Sequence, residues 1–335
     1  MTIRFAVVGF GYIGQRHAAI IQSLPAAKLV AVVEPSSERH FPADIPVFET
    51  LDQFLKSGIM VDVVSICTPN GFHYRQCMEA LTYGAHILCE KPLALEHRHC
   101  LEIIQLADRL GKKVFCVMQN RYSPPAQWLR SLLKEKKLGE IYAVQTTCFW
   151  NRDTRYYKPN GWHGSRNLDG GTLFTQFSHF VDILMWLFGE LSLRQASFWN
   201  HNHQGITEFE DSGLIVFDLP TGGYASLAYS TAVWEKNWES SLSVLAEWGS
   251  IKIGGQYMNE VQYCHVRQAD PPVLPPTNPP NDYGSYLGTA NNHNMVITNV
   301  IEVLTADAPI MTTADEAAKV VALIEAAYRE NPFLK

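Results

Sequence analysis

The sequence contains no uncharged apolar run of about 18 residues, which argues against a membrane-spanning helix. It has no C-x-x-C pair, and its seven cysteines (67, 77, 89, 100, 116, 148 and 264) are odd in number and scattered. That spacing speaks against a disulfide framework and a zinc site, and reads as buried free thiols in a reducing cytoplasm. Basic residues are not in excess. The formal charge is −6, so nothing supports binding to nucleic acid or to an anionic membrane surface. No internal repeat occurs. The opening "MTIRFAVVGFGYIG" is apolar, but glycines break it and no small-residue cleavage site follows, so it reads as a strand and not a signal peptide.

The 335 residues exceed what one small core needs, so two domains are expected, with the break at 122/123. Up to about residue 120, strand-like and helix-like runs alternate: "IRFAVVG", "KLVAVVE", "VDVVSICTP", "HILCEKP" and "KKVFCVMQN" are apolar on both faces. Such strands imply a parallel sheet covered on both sides. Among the helices between them, "LEHRHCLEIIQLADRLG" reads as amphipathic with Leu101, Ile104 and Leu110 inward. After a helix opened by prolines ("SPPAQWLRSLLKEKKLG"), alternating runs and glycine turns predict antiparallel strands with one open face. The fold class is therefore α/β: a Rossmann domain over 1–122, then an α+β domain over 123–335 with a large, mostly antiparallel open sheet. Residues 271–280 hold six prolines and read as a stiff extended loop.

Gly9, Gly11 and Gly14 follow the first strand, with Tyr12 and Ile13 at the mouth of a helix. The first glycine permits the turn, the second lets backbone approach a pyrophosphate, and the third lets helix and strand close up. Glu34 ends the next strand, where an acid would bind a ribose 2′-hydroxyl and repel a 2′-phosphate, so NAD is favoured over NADP. Two more strand ends face the same edge and are expected to line the cofactor: Thr68-Pro69-Asn70 with His73, and Glu90-Lys91-Pro92. Taken alone, the first is an ordinary turn and the second a surface ion pair; their place at the ligand edge makes Lys91 a candidate to meet substrate.

Together, GxGxxG, the acid after strand two, "TPNGFH", "CEKP" and a downstream "GG…H…D" resemble the glucose–fructose oxidoreductase / inositol dehydrogenase (Gfo/Idh/MocA) family over essentially the whole chain. Three stretches (119–125, 161–183 and 281–293) look like bacterial UDP-N-acetylglucosaminuronate 3-dehydrogenases of surface-polysaccharide synthesis. The resemblance implies an NAD-dependent enzyme that joins further subunits through its open sheet as a dimer or tetramer. It places Lys91 near the carbon that gives up hydride and His179 on the other side, and it adds Asn120 to the cofactor set and Arg121 and His293 to the substrate set. Relatives often carry an aspartate four residues after the second glycine of the GG motif; here that position is Thr175, beside Gln176.

In "DGGTLFTQFSHFVDILMWLF" (169–188), Thr172, Thr175, Gln176 and His179 fall within about one third of a helix circumference at 100° per residue. A solvent-facing strip would carry Lys or Glu; uncharged hydrogen-bonding groups suit a sugar. Oxidising a secondary alcohol needs a base for the hydroxyl proton, and a histidine suits that near neutral pH. His179 is assigned that task, with Lys91 stabilising the developing alkoxide; the reverse assignment is the alternative. Segment 151–166 carries Arg152, Arg155, Lys158 and Arg166 against one acid, which suggests an anionic substrate such as a UDP-sugar acid. Trp162 and His163 would stack on or hydrogen-bond the ligand. By resemblance, 2-oxoglutarate would reoxidise the cofactor. The competing readings are a neutral polyol dehydrogenase of the same fold and a non-catalytic dinucleotide sensor. No metal is expected.

Overall fold

Strands β1 (Ile3–Val8), β2 (Ala27–Val33), β3 (Val47–Phe48), β4 (Val63–Ile66), β5 (His86–Cys89) and β6 (Val114–Cys116) form one parallel sheet in the order β3-β2-β1-β4-β5-β6 in a computed structural model of the chain. That order places the sheet's reversal between β1 and β4, where dinucleotides bind in doubly wound folds. The structure describes residues 1–36, 39–159, 161–268, 270–284 and 286–334. Asn160 and Ser285, which fall in two of the motif stretches quoted above, lie outside the described residues.

The connecting helices end where sequence and backbone agree. Helix α1 (Tyr12–Ser23) follows the glycine loop, and α2 (Leu51–Lys56) starts on a Thr50–Gln53 capping box. Helices α3 (His73–Tyr83) and α4 (His97–Leu110) stop on Gly84 and Gly111 at φ 97° and 65°, where only glycine is unstrained. The inner face of α4 differs from the expectation. Cys100, Ile103, Leu106 and Ala107 are buried, whereas Leu101 and Leu110 are exposed and Ile104 is intermediate. Small Cys and Ala side chains belong to the buried stripe, and hydrophobicity alone did not single them out.

The chain divides into two compact units: Met1–Met118 with His293–Val321, and Gln119–Asn292 with Ala322–Lys335. The break after 118 lies close to the expected one. Residues 293–321 group with the first unit, however, an arrangement that a single linear break cannot express.

In the second unit, α5 (Pro124–Lys134) opens with prolines in its first turn, where no amide hydrogen bond is lost. Strands β7 (Ile141–Phe149), β8 (Ser192–Trp199), β9 (Ser212–Asp218), β10 (Tyr224–Ser230), β11 (Glu239–Ala246), β12 (Gly249–Gly254) and β13 (Glu260–Val266) form a seven-stranded sheet, β13-β12-β11-β7-β10-β9-β8. Every pairing in it is antiparallel except β7 with β10. One face buries Val144, Leu227, Ile215, Leu242 and Ile251; the other leaves Trp199, Leu214, Tyr224, Leu245 and Tyr263 exposed. The proline-rich stretch has no regular structure before a two-stranded ribbon, β14 (Pro280–Asp282) and β15 (Leu287–Ala290).

Between β7 and β8 lies α6 (Ser178–Phe188), entered through a π-helical turn at Leu173–Phe177. It carries a buried ion pair that the sequence did not advertise. The Arg121 guanidinium forks onto Asp182, with contacts of 2.6, 2.9 and 3.2 Å, and both side chains are essentially inaccessible. Arg121, expected at the substrate, is placed by the structure in this buried pair with Asp182. Asp182→Asn, which strands the cation, is expected to destabilise the unit by about 3–5 kcal/mol in denaturant unfolding. Helices α7 (His293–Ala306) and α8 (Ala314–Tyr328) complete the chain, the latter capped by Thr313 and Glu316. No described helix is long and apolar enough to cross a membrane.

Candidate active site

In the first unit, the candidate cofactor site is the glycine loop between β1 and α1. A Cβ on Gly9 would lie 2.8 Å from the Cys67 carbonyl oxygen, and one on Gly14 would lie 1.9 Å from that of Gly9. Both positions therefore require glycine for packing. A Cβ on Gly11, by contrast, would meet nothing within 4 Å. Gly11 faces open space at the start of α1, whose N-terminus has no side-chain cap and no acid in its first turn. Amide groups and the positive helix end are thus presented beside Tyr12 and Ile13, a cradle that fits a dinucleotide pyrophosphate. Glu34 follows β2 directly and accepts hydrogen bonds from the Phe10 amide at 2.6 Å and the Ser36 amide at 3.1 Å, which holds its carboxylate against the loop.

The two other strand ends are braced together. Thr68 donates its hydroxyl to Gln76 at 2.6 Å, and Asn70 is buried in the turn that leads into α3. His73 places its two ring nitrogens 2.7 Å from the Pro92 carbonyl and 3.0 Å from that of Thr68. Burial lowers its pKa while the carbonyls oppose that shift. With both nitrogens engaged, His73 ties the loop after β4 to the loop after β5, and its expected contact with the cofactor gives way to that bracing role. Glu90 was assigned to the cofactor as well, but both its oxygens are engaged within the chain: Oε1 faces His17 and His293, and Oε2 accepts the Lys91 amide. His293, expected at the substrate, is instead buried in the first unit against Glu90.

The second unit carries the polar strip, and all four of its members are buried. Thr172 donates to the Glu210 backbone carbonyl at 2.6 Å, a structural bond. Thr175 donates its hydroxyl to the Asp169 carboxylate, which also accepts the Gly164 amide at 2.8 Å and lies 3.8 Å from His163 Nδ1. A carboxylate therefore reaches Thr175 from six residues upstream. The Gln176 amide donates to the Tyr156 hydroxyl at 2.7 Å and accepts from Arg152 Nε at 2.9 Å. His179 follows, 4% exposed, in the first turn of α6.

The expected cationic patch resolves into separate groups. Arg155 is paired with Asp153 at 2.7 Å, Arg166 is exposed, and Lys158 is exposed. Arg152 is buried, and its guanidinium bonds Gln176, Asn237 and the Asn151 and Leu287 carbonyls, all neutral. Trp150, Tyr156 and Tyr286 surround it with ring centroids 4.6–5.5 Å away. Among the described residues, no carboxylate lies within ion-pair distance of it. Burial lowers its pKa against the opposing influence of Tyr156 and Tyr286. His203 places Nε2 against the Arg152 carbonyl oxygen and Nδ1 3.1 Å from the Asp211 carboxylate, which buttresses the arginine backbone. The Trp162 and His163 rings lie tilted with centroids 3.8 Å apart, and His163 stacks on Tyr156 at 4.0 Å. Asn120 is buried in the short turn at Gln119–Tyr122.

A second buried acid sits behind the strip. Glu210 accepts from Tyr328 at 2.8 Å, Asn331 at 2.8 Å and Tyr229 at 3.0 Å, while Tyr328 also receives the Leu173 amide of the π turn. Burial outweighs these bonds and raises the Glu210 pKa to about 7. A raised folded-state pKa means its proton stabilises the fold below pH 4.5, and that contribution is lost as pH rises through about 7. The loss is on the order of 3 kcal/mol. Glu210→Gln should remove this dependence, so its Tm relative to the parent rises between pH 5 and pH 8 in thermal unfolding; a constant difference would contradict the assignment.

Residues 3–118 match the model of the Gfo/Idh/MocA oxidoreductase family, NAD-binding Rossmann fold, and residues 126–252 match the family's C-terminal domain. The chain is similar to the WlbA dehydrogenase of Bordetella pertussis crystallised with NADH and UDP-GlcNAcA, at 28% identity and TM-score 0.86, covering 98% of this chain and 96% of that one. It is similar to the WlbA enzyme of Chromobacterium violaceum, also in complex with NADH and UDP-GlcNAcA, at 29% identity and TM-score 0.85, covering 98% and 93%. Among curated proteins it is 31% identical to D-glucoside 3-dehydrogenase of Escherichia coli over 61% of this chain and 58% of that protein. The chain thus spans little more than half the length of that relative.

Proposed function

Because the chain belongs to the Gfo/Idh/MocA family of NAD-binding oxidoreductases, we propose that it oxidises the C3 hydroxyl of UDP-N-acetylglucosaminuronic acid to the 3-keto sugar. The observation that carries this reading is Arg152, a buried cation with only neutral partners, bonded to Gln176 on the strip that contains His179. A guanidinium so placed is costly without an anion, and a uronate carboxylate offers one with matching geometry. A neutral polyol would leave it unanswered.

The nicotinamide supplies a hydride acceptor when bound. His179 takes the hydroxyl proton as the C3–H bond breaks, and the Lys91 ammonium stabilises the negative charge that develops on the same oxygen. Thr175 and Gln176 orient the sugar, with Asp169 fixing the Thr175 hydroxyl. Trp162, His163 and Arg166 extend the substrate contacts, and Thr68, Asn70 and Asn120 the cofactor contacts. 2-Oxoglutarate would accept the hydride back. The role in surface-polysaccharide synthesis and a cytoplasmic setting follow from the same reading. A homo-oligomer built on the open sheet face is supported by exposed Leu214, Tyr224, Leu245 and Tyr263.

The test is a substrate panel with purified protein and NAD: UDP-N-acetylglucosaminuronate, UDP-N-acetylglucosamine and myo-inositol, read by absorbance of the reduced cofactor. Turnover confined to the uronate supports the reading, and preference for inositol removes it.

A further inference from the structure

Directly before Lys91, Glu90 Oε1 lies 3.1 Å from His17 Nε2 and 3.5 Å from His293 Nε2, while Oε2 accepts the Lys91 amide at 3.3 Å. His17 Nδ1 lies 2.8 Å from Ser65 Oγ, and the two imidazoles meet edge-on with centroids 5.6 Å apart. All three residues are buried. We infer that His17, Glu90 and His293 form a positioning triad that fixes the backbone of Lys91.

The geometry ties one peptide to three elements. His17 comes from α1, His293 from the start of α7, and Glu90 from the end of β5, so the Lys91 amide is held through a single carboxylate by two helices. The electrostatics agree. Burial opposes charge on His17, but Cys67 and Glu90 outweigh it and raise its pKa to about 10. Burial likewise opposes the Glu90 charge, and the two histidines hold its pKa well below the ordinary range. Burial lowers the His293 pKa against the pull of Glu90. A carboxylate left without those partners would be free to turn toward other cations and release the Lys91 amide. The three donor atoms also lie within 4.8 Å of one another, as a metal site would require.

The inference rests on Lys91 acting at the reacting carbon, so the test separates the two. Glu90→Gln in the NAD-loaded enzyme is expected to lower kcat about 10- to 100-fold through misplacement of Lys91, with KM and the NADH Kd within threefold. Glu90→Asp should recover part of the loss. By NMR, His17 should titrate near 10 in the parent and at a lower pH in Glu90→Gln. If Lys91→Ala is impaired but Glu90→Gln turns over within twofold of the parent, the triad is overturned alone. If Lys91→Ala itself turns over normally, the role of Lys91 falls, and the triad's with it. A parallel loss of kcat, KM, NADH affinity and Tm would make Glu90 merely structural. Stoichiometric zinc in the purified protein, or activity abolished by a chelator, would replace the triad with a metal centre.

Discussion

Replacing His179 by Asn is expected to lower kcat by about 10³-fold, because it removes the group that takes the substrate proton while preserving size and polarity. Lys91→Ala should cost about 10²–10³-fold, the scale of losing one preorganised charge at a developing oxyanion. The two losses should not multiply in the double variant, since each removes part of one proton-transfer arrangement. NADH binding should survive in His179→Asn, because His179 lies on α6, outside the dinucleotide fold. Steady-state kinetics with the uronate and fluorescence titration of NADH check these points. A single variant with near-parental kcat would remove that residue from the mechanism.

The second large effect concerns Arg152. Arg152→Met should lower kcat/KM for UDP-N-acetylglucosaminuronate about 100-fold or more, the scale of losing one buried charge partner. The effect on UDP-N-acetylglucosamine, which has the diphosphate but no carboxylate, should be several-fold smaller. Equal losses would assign Arg152 to the diphosphate. Stability offers an independent check: a buried cation without a carboxylate is costly in the free protein, and its removal offsets part of the four hydrogen bonds lost. A Tm drop far smaller than that of Asp182→Asn, which breaks a paired cation, is therefore expected.

The nucleotide half was legible because its constraints are local. Gly14 is dictated by contact with Gly9 within the turn, Gly9 by its own backbone at φ 85°, and Glu34 follows β2 at a fixed interval. The polar strip was legible as well, since hydroxyls, an amide and an imidazole stand out in an apolar helix. What could not be read is which of several arginines and histidines does what. Arg121 and Arg152 look alike in sequence, yet one meets Asp182, 61 residues away, and the other meets none. His17 and His293 lie 276 positions apart and share one carboxylate, a relation that only the grouping of 293–321 with the first unit reveals. The π turn escaped because 100° spacing assumes a regular helix, and Asp169 escaped because it precedes the motif that pattern-reading compares. Each miss involves partners distant in sequence or a departure from ideal periodicity.

The most direct measurement of the central claim is the fate of a deuterium placed at C3 of UDP-N-acetylglucosaminuronate. After incubation with NAD, the label should appear on the reduced nicotinamide, with a 3-keto sugar as the product by mass spectrometry. Label retained on the sugar while NAD is reduced, or no reduction alongside turnover of a neutral polyol, would contradict the account.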